Sequence, residues 1–337
     1  MTSKNLTISS NSFIFIFVGF VLILIAGFRP IGIDGDSLNY VSVLHISLSE
    51  ANFIDKEPAF WIINELNKIL FGGNEQTFFL IFAILGVSLK LIAIRKYSLL
   101  PILSIFTYVS MYFVLHEMTQ IRAGVATAIF LFALEDIKNR NFKGYFLKTI
   151  LAMLFHYSAI IMLLVYFINP NKLNTKLFLT LPILGIILGI LLAIFKDISL
   201  SIFSNITSVL PQFIGSKIEL YILLLYDGKF SDINIFNFLY LSLIFIYYFS
   251  LLNYRKMKSQ YDIIFIKISG IMLFSFYFFT FLPVLAFRVS EFFGVIFIFL
   301  IPHVLLTIKQ KSIASIPFII WLMIYFIFIM VMQNLHF

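Results

Sequence analysis

Cysteine is absent from this chain, which excludes a disulfide framework, a thiol nucleophile and a thiolate metal site. Charge is scarce too: Asp, Glu, Lys and Arg make up 12% of the 337 residues, about half the roughly 25% usual in a soluble domain. None of the five histidines stands in an H-x-x-x-H or H-E-x-x-H spacing, so no zinc motif is present. Strand-type alternation, a repeat of fixed period and low-complexity tracts are also missing, which leaves one all-α domain, residues 1–337. What fills the chain instead is apolar: 61% of residues are hydrophobic, 43 are Phe, and the mean hydropathy is +1.03. Most of the Phe residues are expected to pack the core or face lipid.

Apolar stretches reach or approach the roughly 20 residues needed to cross a bilayer. They fall at 12–28, 76–94, 99–115, 119–135, 145–168, 177–195, 235–252, 262–282, 289–307 and 313–333. The fold class is therefore a polytopic all-α membrane protein with about ten to eleven transmembrane helices. The first stretch follows a single Lys4 but no A-x-A-like cleavage site, so it reads as a retained helix. The formal charge of +8 is scattered over short turns rather than clustered with aromatics, which argues for membrane orientation and against nucleic acid.

Four basic turns mark the cytoplasmic side: Lys90 with Arg95 and Lys96; Lys138, Arg140 and Lys143; Arg255, Lys256 and Lys258; Lys309 and Lys311. The acidic loop 29–75, with Asp34, Asp36, Glu50, Asp55, Glu57, Glu65 and Glu75, then lies outside. Within it, Glu57 to Phe71 starts on Pro58 and has apolar residues near i, i+3 and i+4, which predicts an interfacial helix with Trp61 at headgroup depth. Strict alternation fails once, because three stretches separate the second and third basic turns. The region 196–234 is expected to resolve this through an eleventh span or a re-entrant element over Ile198–Ile214, followed by an amphipathic surface helix from Lys217 to Tyr226.

Ionisable residues in or beside spans cost a few kcal/mol at the helix centre, so those not marking cytoplasmic turns are the functional candidates. They are Asp34-Gly35-Asp36, Glu57, Glu117 with Arg122, His156, and Arg288 with Glu291. All but His156 fall at external helix ends or loops, and His156, midway along 145–168, would floor a shared pocket. Each has a purely structural alternative: solvated turn carboxylates for Asp34 and Asp36, a snorkelling Arg122, an interhelical hydrogen bond for His156, and an i, i+3 ion pair between Arg288 and Glu291.

In chain order, Asp36 with Asn39-Tyr40, Glu57-Pro58 with Phe60 and Leu66, Gln120 and Arg122 with Ala126, Phe155-His156-Tyr157-Ser158-Ala159, and Arg288-Val289-Ser290 with Phe292-Phe293 resemble the EpsG family over about residues 30–300. Its members are Wzy-like polymerases of exopolysaccharide and O-antigen repeat units. The resemblance implies a GT-C-like glycosyltransferase bundle in the bacterial inner membrane with its active side periplasmic. Donor and acceptor would be glycans on undecaprenyl pyrophosphate, with membrane lipid and a chain-length regulator as further partners. On this reading Asp36, Arg122, His156 and Arg288 are catalytic, and Asp34, Tyr40, Glu57, Glu117, Gln120, Tyr157, Ser158 and Glu291 contact substrate. Arginine binds the leaving phosphate, and a carboxylate or His removes the acceptor proton, with Asp36 favoured and His156 competing. No Asp-rich cation cage stands out, so neither metal nor cofactor is expected. A flippase or transporter would show repeated halves, which the chain lacks, and a membrane acyltransferase would place a His in an early external segment, where acids stand instead.

Overall fold

The computed structural model describes residues 2–53, 56–229 and 231–334, and every regular element among them is helical. Asp55, counted above with the first acidic loop, lies outside the described residues. Five helices are long and apolar enough to cross a membrane: Glu75–Tyr97, Pro101–Thr119, Thr175–Ile194, Phe238–Lys256 and Ile313–Val331. A further crossing is bent by 53° where Pro283–Gly294 meets Phe297–Leu305. The chain is a multi-pass membrane protein. The helices Ile121–Asn139 and Asp262–Phe278 are buried along most of their length and form its interior, so their side chains meet protein rather than lipid.

Two pairings orient the bundle. Gly185 and Gly189 of Thr175–Ile194 press against the backbone at Phe274 and Tyr277, which any Cβ would strike, so this helix runs beside Asp262–Phe278 in the same direction. Ile121–Asn139 packs along Phe142–Phe155, and Thr2–Gly27 along Glu75–Tyr97.

The stretch 145–168 does not cross. Helix Phe142–Phe155 stops at His156, whose backbone is extended, and the chain turns back through a 3-10 turn, Tyr157–Ile161, and Met162–Tyr166. Its far end returns to its beginning: the Tyr145 hydroxyl donates to the Met162 carbonyl at 2.6 Å, and Arg140 donates to the Tyr166 carbonyl at 3.0 Å. Lys138 also reaches Asn171 at 2.8 Å. This corrects the expected path. The broken parity is resolved by a hairpin at 142–166, not in 196–234. Single cysteines at Lys143 and Asn171 should therefore be labelled by an impermeant maleimide from the same side of the membrane; labelling from opposite sides would restore the span.

The region 196–234 holds two short helices, Lys196–Thr207 and Gln212–Tyr226, of 12 and 15 residues. Neither reaches the roughly 20 residues of a crossing. Pro211 starts the second, and Gly215 lies against the Thr207 carbonyl, closing the pair into a hairpin at the Glu57 end of the molecule. Helix Pro58–Phe71 forms as expected, with Pro58 in its first turn and Gly72 in the left-handed region ending it. Ile62, Leu66, Ile69 and Leu70 are exposed on one face, as a helix lying at an interface requires. Trp61 turns inward: it is buried, edge-on to Phe60 at 5.4 Å, with its indole N–H on the Asn52 carbonyl.

Lys90 is a second correction. It marks no basic turn but is fully buried, donating to Glu117 Oε1 at 2.5 Å and to the Gly124 carbonyl at 2.7 Å. Glu117 sits in a π-helical segment, Val109–Thr119, and its second oxygen faces Gly86, where any side chain would collide with it.

Candidate active site

Glu57 is the residue around which the site is built. It directly precedes Pro58, so it occupies the N-cap of the interfacial helix in extended backbone and turns its side chain under that helix. There it is fully buried. Its Oε2 accepts from the Arg122 guanidinium, which projects from the first turn of Ile121–Asn139. Its Oε1 accepts from Lys217 Nζ at 2.9 Å and from the Tyr157 backbone N–H at 3.2 Å, with His156 Nδ1 at 3.4 Å. The break at His156 thus has a physical partner: the N–H released where the helix stops is capped by Glu57. Burial alone would raise the Glu57 carboxyl, but Arg122, His156 and Lys217 outweigh it and hold the group well below the usual carboxylate range.

Tyr40 packs beneath this cluster, against Phe60 and Phe79, with the Arg122 guanidinium 5.6 Å and Lys56 Nζ 5.7 Å from its ring. Tyr157 carries Lys217 over its ring at 4.8 Å, lies tilted against Phe213 at 4.9 Å and donates its hydroxyl to the Phe53 carbonyl. Ser158 follows it in the 3-10 turn that begins the returning arm of the hairpin. Arg288 lies in electrostatic range of Tyr221, Glu291, Asp36 and Tyr40 and makes no ion pair among the described residues. Its expected i, i+3 partner is engaged elsewhere, since Glu291 accepts from Gln120 at 2.9 Å. Asp36 is half-buried and caps the short helix Ser37–Val41 without a side-chain hydrogen bond.

Two of the expected substrate contacts lie elsewhere. Asp34 is buried on Arg29 at 2.8 Å and accepts from the Ser37 and Asp36 backbone N–H groups, which makes it a turn-forming carboxylate with its oxygens committed. Glu117 is held by Lys90 and Tyr108 inside the bundle. Sequence reasoning missed Lys56 and Lys217. Lys217 carried a signal: a lysine in a segment placed on the acidic side runs against the charge bias of loops.

Two cavities flank the cluster. An open cleft of about 640 Å³ runs between the 43–61 region and Gln212–Tyr226, with Lys56 and Lys217 in its lining and Glu50 and Glu219 also present. A cavity of about 330 Å³ is lined by Leu115, Leu243, Met272 and Phe328, with Gln120 and Glu291 among its polar groups. Among the described residues no group of three or more His, Asp or Glu could hold a metal ion. The arrangement can therefore bind an anion with guanidinium and ammonium donors while presenting a second carboxylate, the half-buried Asp36, nearby.

A model described as the EpsG family matches residues 12–337 of the chain. No curated protein and no solved structure matches it.

Proposed function

Because the chain belongs to the EpsG family, we propose that it is a polysaccharide polymerase that joins lipid-linked repeat units on the Glu57 side of the membrane. The observation that carries this reading is the convergence of Arg122, Lys56 and Lys217 on the buried Glu57, with Arg288 in electrostatic range of Asp36 and Tyr40 beside it, between two cavities. In the proposed reaction the bond between the donor sugar and its undecaprenyl pyrophosphate breaks, and its electron pair leaves on the phosphate oxygen. Arg122 and Arg288 stabilise that charge. The acceptor hydroxyl oxygen forms the new glycosidic bond, and its proton passes to Asp36, whose carboxylate makes no side-chain cap hydrogen bond among the described residues, or to His156. Tyr40, Gln120, Tyr157, Ser158 and Glu291 line the approach of the two substrates. Neither metal nor cofactor is required in this scheme.

The fold assigned with this function is a GT-C-like bundle in the bacterial inner membrane. On this reading 142–166 returns on itself without crossing, and the site faces the periplasm, opposite the basic turns. The test is the lipid-linked glycan profile of a deletion strain. Loss of a polymerase should leave surface lipid capped with a single repeat unit. Single units accumulating only on the cytoplasmic face would instead identify a flippase.

A further inference from the structure

Glu57 stands where the proposed mechanism needs an anion of the substrate. Its two oxygens already take up Arg122, Lys217 and the Tyr157 N–H, the donors best placed for a phosphate. We propose that Glu57 is a resident counter-anion that occupies the phosphate site at rest and is displaced from Arg122 and Lys217 by the substrate's pyrophosphate. The inference rests on the polymerase reading for the source of that anion, and on geometry for the exchange.

Three observations carry it. The carboxylate is fully buried and held in its charged form, so it contributes a full negative charge to a site that the reaction requires to accept another. Arg122 keeps a spare donor: its Nε is buried without a hydrogen-bond partner, so the guanidinium is only half used by Glu57. A planar fork of this kind can pass from one carboxylate oxygen to two phosphate oxygens without losing its place. Lys217 arrives on the separate Gln212–Tyr226 helix, beside the cleft that opens to solvent, so its ion pair with Glu57 also ties that helix over the site. Pyrophosphate would take Arg122 and Lys217 and leave Glu57 with the Tyr157 N–H and His156.

The test is equilibrium binding of inorganic pyrophosphate and of an isoprenyl pyrophosphate to the full chain in detergent. A like charge beside a bound anion opposes it, so Glu57→Gln should bind at least about tenfold tighter than the parent. Glu57→Asp, which keeps the charge but is one methylene shorter, should fall between the two. The two Glu57 variants are read together, so failure of one to fold does not remove the test. Adding Lys217→Met to Glu57→Gln should abolish most of the gain. Tighter binding of both probes supports exchange with any pyrophosphate; tighter binding of the isoprenyl probe alone supports exchange with a lipid headgroup. Equal or weaker binding by Glu57→Gln and Glu57→Asp would overturn the proposal. If binding tightens as stated while the parent polymerises nothing, the counter-anion role stands and the polymerase reading falls.

Discussion

Replacing Arg122 by lysine is expected to slow polymerisation by about a hundredfold to a thousandfold, although the positive charge is retained. The guanidinium reaches Glu57 through one nitrogen, faces the ring of Tyr40 and keeps its Nε unpaired, an arrangement that depends on its planar set of donors. An ammonium is compact, more strongly hydrated and unable to hold two phosphate oxygens in a fork. Losing one preorganised donor to a developing oxyanion typically costs about 2.7–4 kcal/mol of transition-state stabilisation. Arg288→Lys should follow the same pattern, since Arg288 has no ion pair among the described residues for lysine to preserve. The measurement is the rate with purified, folded variants and synthetic lipid-linked repeat units. Activity within a few-fold of the parent for both would remove the arginines from the mechanism. A surface ion pair, by comparison, contributes only about 0–1 kcal/mol and tolerates lysine.

Lys90→Met is expected to cost about 3–5 kcal/mol of stability, the usual price of leaving a buried charge without its partner. Glu117 would keep Tyr108, at 3.0 Å, but lose the only cation bonded to it among the described residues. Its second oxygen, pressed toward Gly86, already lacks a partner. The double variant Lys90→Met, Glu117→Gln removes both charges at nearly constant volume and should recover most of the loss, because neutral replacement of a buried pair is often close to neutral in energy. Thermal unfolding in detergent of the parent, both single variants and the double variant closes the cycle. Additive losses would mean that the two residues act independently. Lys90 would then owe its burial to the Gly124 carbonyl alone.

The helical class and most of the boundaries were legible because apolar run length is a one-dimensional signal that the bilayer enforces. The reversal within 145–168 is invisible to the same signal. Run length records a mostly apolar stretch, not that the chain reverses within it, and the reversal depends on Glu57, about a hundred residues away, to cap the freed N–H. Arg122, His156 and Glu57 come together as a shared pocket requires, since a charge in an apolar chain must find a partner and few are available. The Lys90–Glu117 pair is not legible in the sequence, where Lys90 groups with its basic neighbours Arg95 and Lys96; sequence distance along a helix does not tell which turn points inward. Lys217 escaped because its partner comes from the first loop, and no local pattern links the two.

The break at His156 has one more consequence. Irregular backbone at membrane depth persists only where protein or a water-filled cavity surrounds it, and here Lys217, which pairs with the carboxylate that caps the break, also lines an open cleft. Solvent that reaches the hairpin tip can also attack the donor in place of a sugar hydroxyl. Such an enzyme should release some free oligosaccharide whenever acceptor is scarce, and the ratio of free to joined glycan would report how well the acceptor excludes water from that tip.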